Sequence, residues 1–222
     1  MPSNVENVET KLQRIALKAS KDKHCQFTSL FHLMNEELLL ECFTQLKGNA
    51  ASGIDNITKD MYAMNLHSNL QNLLGRLHTM AYKPQPVLRV YIPKAGSKKL
   101  RPLGIPALED KLVQAGLVKI LQTIYEQDFI NDSYGFRPKR SCHDALRALS
   151  QAVETQPVHY LVEADIKGFF DNVDQDQLMA FMQHRIADQR ILRYIKRFLK
   201  AGIQEDGQFK ASERGTPQGG VI

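Results

Sequence analysis

Apolar positions in this chain fall into two rhythms, and the switch between them divides it. From Val5 to about Lys18, Val8, Leu12, Ile15 and Leu17 recur at helical spacing. The next segment holds Leu38, Leu39 and Phe43 on one face, with Asn35 as a natural N-cap and Gly48 as a stop. "GNAASGIDNITKD" reads as a loop, and a further helix runs from about Thr58 toward the Pro84 and Pro86 punctuation. The period then drops to that of a strand. Val87, Leu88, Val90, Tyr91 and Ile92, then "KAGSKK", then Leu100 to Ile105 predict a β-hairpin with a basic tip.

Beyond the hairpin, "ALEDKLVQAGLVKILQTIYEQDF" predicts a long helix, "NDSYGFRPKRSC" a loop and "HDALRALSQAVE" a shorter helix. "VHYLVEADI" reads as a buried strand ending in an acid, Asp165. Asp171 and Asp174 are placed to cap a helix starting near Gln175, and Asp176 to Ala201 predicts one or two helices with Gly202 as the stop. "GIQEDGQFKASERGTPQGGVI" reads as a hairpin followed by a glycine-rich loop. Helices alternate with hairpins and no βαβ rhythm appears, so the expected class is α+β. The apolar "GGVI" at the last positions suggests a truncated domain, with a dimer hiding the apolar surface around Val221 and Ile222.

Composition narrows the function classes. With 222 residues, 43% hydrophobic and 24% charged, the chain can bury a proper core, and disorder is not the default. No apolar run has the roughly 18 residues of a membrane span and no secretion signal is visible, so the expected compartment is the cytoplasm and no membrane partner is implied. Cys25, Cys42 and Cys142 match neither a zinc spacing nor a disulfide framework and read as reduced thiols. The seven histidines form no metal or nucleophile pattern. A net charge of +5 is modest, but its distribution is not. Lys83 to Arg101 holds six basic residues and no acid, "RPKR" covers Arg137 to Arg140, and Arg190, Arg193, Lys196, Arg197 and Lys200 stud one helical segment.

Each candidate for chemistry has two readings. Asp165, at the end of a buried run, either caps a turn or supplies a carboxylate to a cation such as Mg2+. Lys94 and Arg101 either grip an anion over the hairpin or keep a solvated tip basic. "RGTPQGG" is either a plain turn or a phosphate-cradling loop. "SYGFRPKRS" sets Tyr134 and Phe136 among Arg137, Lys139 and Arg140, a mixture suited either to stacking and phosphate contact or to a loop pinned by a buried phenylalanine.

The order of these blocks carries more than any one of them. "LKGNAASGID", "YIPKAGSKKLRPLGIP", "DSYGFRPKRSCHDAL", "VEADIKGFFDNVD" and "RGTPQGGVI" follow one another in a succession that closely resembles the reverse transcriptase of group II introns, the intron-encoded maturase type, from about Phe27 onward. The resemblance implies right-hand polymerase fingers (helices plus the β-hairpin) with the first part of an antiparallel palm sheet. The implied layout is an amino-terminal extension at residues 1–55, fingers at 56–155 and a partial palm at 156–222. It further implies that Asp165 and the Ile166 carbonyl bind catalytic Mg2+, and that Phe170 is the gate against a sugar 2′-hydroxyl. Lys94 and Arg101 would hold the triphosphate, Gln218 would lie beside nucleotide and primer, and Arg137, Lys139 and Arg140 would face RNA. The implied partners are intron RNA, an RNA template with a DNA primer, and a deoxynucleoside triphosphate. No Tyr-X-Asp-Asp motif occurs in the chain, and "SKKL" lengthens the hairpin tip. With one metal-binding carboxylate the chain by itself is expected not to polymerise. The alternatives are a non-catalytic, intron-RNA-binding splicing module and, further off, a reverse transcriptase of a retron or phage-defence setting.

Overall fold

A computed structural model describes residues 7–93, 96 and 100–216. Its first helix, α1 (Val8–Lys21), opens on Asn7, whose side chain accepts the Thr10 N–H. A single 3-10 turn at Phe31–Leu33 leads to α2 (Glu36–Gln45), capped by Asn35 as its side-chain chemistry predicts, with Leu38, Leu39, Cys42 and Phe43 buried. The helix stops at Gln45, before Gly48 is reached. The single helix expected after Thr58 is two, α3 (Lys59–Ala63) and α4 (Leu66–His78). β1 (Val87–Pro93) and β2 (Leu100–Ile105) form the expected antiparallel hairpin, and the long α5 (Leu108–Tyr125) follows.

After the 126–141 loop come α6 (Cys142–Thr155), the short α7 (Phe169–Asn172), α8 (Gln175–Gln183) and α9 (Gln189–Leu199), then the small hairpin of β3 (Ile203–Glu205) and β4 (Gln208–Lys210). Asp174 caps α8 through the Asp176 and Gln177 N–H groups. The sheet has the order β2-β1-β3-β4. Its central pairing, Val87 with Ile203 and Leu88 with Gln204, is parallel, so the described sheet is mixed. The small hairpin docks there because Gly202, at φ +79, turns the chain under the Phe209 ring while its carbonyl accepts the Val87 N–H.

The core lies between α2, α4, α5 and α9. Phe31 stacks on Tyr194 with ring centroids 5.5 Å apart, and the Tyr194 hydroxyl donates to the Leu77 carbonyl. α5 presses so closely on the Phe31–Met34 turn that a Cβ on Gly116 would lie 2.7 Å from the Met34 sulfur. Two buried polar side chains tie the amino-terminal segment to α8 and α9. Asp188 caps α9 and also accepts the Leu30 and Phe31 N–H groups at 2.7 and 2.8 Å. Arg185 donates to the Ala19 and Asp22 carbonyls at 3.1 and 2.9 Å, satisfying the open C-terminal end of α1. No helix among the described residues is long and apolar enough to cross a membrane.

One expected element is missing. His159 to Ala164 form no strand, and Tyr160, Leu161 and Val162 are 89%, 66% and 90% exposed. The reason is physical: a strand needs a neighbour for its backbone and a layer for its apolar face, and no described strand runs beside it. α6 shares this condition, with Leu146, Leu149 and Val153 exposed along one face. The apolar surface around Val221 and Ile222, on which the dimer expectation rests, lies outside the described residues.

Candidate active site

The best-ordered part of the candidate site is a junction of two distant sequence blocks. Gly168, at φ +62, opens the turn into α7, and the Asn172 side-chain amide ties back to its carbonyl at 2.8 Å. The Thr216 N–H then donates to the Phe170 carbonyl and the Gly215 N–H to the Val173 carbonyl, each at 2.8 Å. Only glycine fits at 215: its φ is +73, and a Cβ there would lie 2.5 Å from the Phe170 oxygen. The "GFFDNVD" and "RGTPQGG" blocks are therefore laid edge to edge by the backbone.

Gln175 fastens this junction from beneath. Only 5% exposed, it donates from its side-chain amide to the Gly215 carbonyl at 3.0 Å and the Leu199 carbonyl at 3.2 Å. Its side-chain oxygen is buried without a hydrogen-bond partner among the described residues. Sequence reasoning passed over this glutamine. Its one signal is its place directly after a capping aspartate, where the first helical turn folds inward.

Phe170 packs edge-on against Phe169, with centroids 5.4 Å apart. Behind it lies an apolar cavity of about 270 Å³, walled by Phe170 and Thr216 on one side and by Leu121, Ile195 and Phe198 on the other. Asp110 also borders it. Burial pushes this carboxyl up to about 6, against the opposing effect of hydrogen bonds from the Tyr82 hydroxyl and the Gln85 N–H.

Asp165 and Ile166 sit in the exposed, irregular stretch that precedes α7. Carboxylate and carbonyl oxygens are the hard donors that Mg2+ prefers. The set is nonetheless too small: among the described residues no group of three His, Cys, Asp or Glu side chains converges to hold a metal ion. These residues alone do not fit a complete Mg2+ site.

Arg101 lies on β2 opposite Ile92 with its side chain exposed, while Lys94 and Gln218 fall outside the described residues. The hairpin that carries Arg101 is braced by Glu205 on β3, which takes hydrogen bonds from Tyr91 of β1 and Lys210 of β4.

The 126–141 loop holds its three cations differently. Arg137 is turned inward, its side chain 6% exposed. Its guanidinium meets the Glu126 carboxylate at 2.7 and 2.9 Å, donates to the Ile130 and Ser133 carbonyls at 2.8 Å, and stacks over Phe129. The group is thus held within the protein, where it shapes the loop. Phe136 is the opposite case: expected either to stack on bases or to pin the loop, it is 97% exposed. Lys139 remains at the surface, bordering a groove with residues of α1, α2 and α5, and Arg140 lies over the Tyr134 ring and donates to the Asn131 carbonyl.

Comparison with known proteins follows the same blocks. Residues 92–222 match the family described as reverse transcriptase (RNA-dependent DNA polymerase). The chain is 38% identical over 215 residues to the group II intron-encoded protein LtrA of Lactococcus lactis subsp. cremoris, a match covering 95% of this chain and 35% of LtrA. It is 38% identical over 218 residues to the protein YkfC of Escherichia coli strain K12, covering 95% of this chain and 57% of that protein. Among solved structures, a partial Cas6-RT-Cas1--Cas2 complex aligns with a TM-score of 0.53 at 22% identity, over 88% of this chain and 32% of that one, a likeness of fold. The chain thus spans from about a third to somewhat over half the length of these curated relatives.

Proposed function

Because the chain belongs to the reverse transcriptase family, and within it to the group II intron-encoded line, we propose that it forms the fingers and first part of the palm of an RNA-directed DNA polymerase. The observation that carries this reading is the backbone pairing of Phe170 and Val173 with Thr216 and Gly215, which brings the sugar-gate block beside the loop leading to Gln218. Residues 1–55 act as the amino-terminal extension, 56–155 as the fingers and 156–222 as the palm portion, with the β1–β2 hairpin presenting Arg101.

In this reading the roles divide by chemistry. Phe170 excludes a 2′-hydroxyl by bulk, its backbone held by Thr216. Arg101, together with Lys94, meets the triphosphate of the incoming deoxynucleotide. Gln218 lies beside nucleotide and primer, and Asp165 with the Ile166 carbonyl contributes oxygen donors toward Mg2+, the rest coming from elsewhere. Lys139 and Arg140 face intron RNA or template, on a loop whose shape Arg137 maintains.

For the 222 residues alone a second reading has its own support. It is a non-catalytic, intron-RNA-binding unit of the splicing (maturase) type, a role that membership of the intron-encoded line equally allows. Exchange of this chain for the matching segment of LtrA separates the two. An active chimera that loses primer extension with Asp165→Ala supports the polymerase reading. A folded chimera that keeps its activity with that substitution, or has none without it, overturns it.

A further inference from the structure

The helix α9 buries one face completely and sets cations on the other. Ile191, Leu192, Tyr194, Ile195, Phe198 and Leu199 point inward, and Ile195, Phe198 and Leu199 reach the cavity behind Phe170. At roughly 100° per residue, the remaining arc carries Arg190, Arg193, Lys196, Arg197 and the cap residue Lys200, with no acid between Gln189 and Leu199. Two of these cations are engaged. Arg197 donates to the Met80 and Tyr82 carbonyls at 2.8 and 2.7 Å, and Arg190 lies over the Phe31 ring near Asp188. Arg193, Lys196 and Lys200 are exposed, three and then four residues apart, and so form one stripe. Exposed Lys83 stands beside its edge, since the preceding Tyr82 carbonyl is held by Arg197.

A solvated helix face usually mixes signs, so that neighbouring charges compensate. Two such helix cations do meet acids here: Arg76 faces Glu109 and Lys119 faces Glu41. Among the described residues no acid pairs with Arg193, Lys196 or Lys200, and Lys200 donates to the Glu213 backbone carbonyl at 3.4 Å. Like charges held one turn apart on a rigid helix need an anionic counterpart. From Arg193 to Lys200 the stripe spans about 10 Å, the axial length of roughly three consecutive phosphates on one strand.

We infer that the outer face of α9 is a docking strip for a nucleic-acid phosphodiester backbone, separate from the 136–140 loop and turned away from the Phe170 side of the same helix. It reads charge and not base identity, because point cations on flexible stems carry no base-edge code. The strip holds duplex outside the candidate active site, and the inference does not depend on whether the chain polymerises.

The test is titration of the 222-residue chain with a fluorescein-labelled RNA hairpin at several salt concentrations. The compared variants are Arg193→Gln/Lys196→Gln/Lys200→Gln and a control of equal charge change, Lys21→Gln/Lys23→Gln/Lys47→Gln. The stripe variant is expected to lose affinity by about tenfold or more and to flatten the slope of log K against log salt by about 2–3, one increment for each lost phosphate contact. Arg193→Lys/Lys196→Arg/Lys200→Arg, which preserves charge, restores both. Equal losses in stripe and control variants, or an unchanged salt slope, overturn the inference. Circular dichroism confirms that each variant is folded, as substitutions on the solvent side of α9 should allow.

Discussion

Replacing Gly215 by alanine should undo the junction that organises the candidate site. At φ +73 an L-residue costs about 1 kcal/mol before any contact is considered. The added Cβ would stand 2.5 Å from the Phe170 carbonyl oxygen and 2.9 Å from that of Asp171, both backbone atoms that move only if the chain moves. Separating the two segments to relieve this loses the two 2.8 Å hydrogen bonds, at roughly 0.5–1.5 kcal/mol each. It also leaves the Gln175 amide short of its Gly215 partner. The sum is about 2–4 kcal/mol. Gly207 is an internal control, because its φ is +76 but a Cβ there meets nothing within 4 Å. Gly207→Ala should therefore show the conformational cost alone. Urea denaturation gives the global difference, and hydrogen exchange at the Thr216 amide gives the local one, which should rise by at least about tenfold in Gly215→Ala for each 1.4 kcal/mol lost. If Gly215→Ala is no more costly than Gly207→Ala, and the Thr216 amide stays protected, the described junction does not hold these blocks together.

Three further outcomes follow from the buried polar groups. Burial opposes ionisation of Asp188, but hydrogen bonds from the Leu30, Phe31, Arg190 and Ile191 N–H groups outweigh it and hold its carboxyl below the usual range. Its stabilising effect is thus complete above the unfolded carboxyl's ordinary value and fades as pH falls through the lower folded one, and Asp188→Ala should cost about 3 kcal/mol at neutral pH and flatten the acid limb of a urea-midpoint profile. Asp110 has the opposite sign: held at about 6, it keeps its proton in the folded state after the unfolded chain has released it, so stability declines as pH rises from about 4 to 6 and Asp110→Asn should remove that decline. Arg137→Ala should cost about 2–4 kcal/mol by leaving Glu126 and two loop carbonyls without their donor, whereas Lys139→Ala leaves the melting temperature nearly unchanged; equal stability of the two variants would refute the assignment of Arg137 to loop architecture.

What could be read from the sequence was what short-range chemistry decides. The Asn35 and Asp174 caps and the β1–β2 hairpin all depend on residues within a turn or two of one another, and the structure places each where the spacing predicts. The run from His159 to Ala164 has strand composition but no strand, because pairing is set by a neighbour that composition cannot supply. The inward turn of Arg137 is hidden for a related reason: an arginine in a basic run looks available, yet Glu126, at the end of the preceding long helix, fixes its direction. Gln175 and Asp110 left almost no trace, since the burial of a polar side chain is decided by the tertiary fold. Block order was the strongest signal, and the 92–222 family match agrees with it.

The most direct test of the central claim is nucleotide choice in the LtrA chimera carrying this chain. Primer extension with deoxynucleoside and ribonucleoside triphosphates in parallel reports whether Phe170 acts as the gate. The account predicts that Phe170→Ala admits ribonucleotides while leaving deoxynucleotide incorporation largely intact. Unchanged discrimination in an active Phe170→Ala chimera would contradict the assignment of this junction as the nucleotide site.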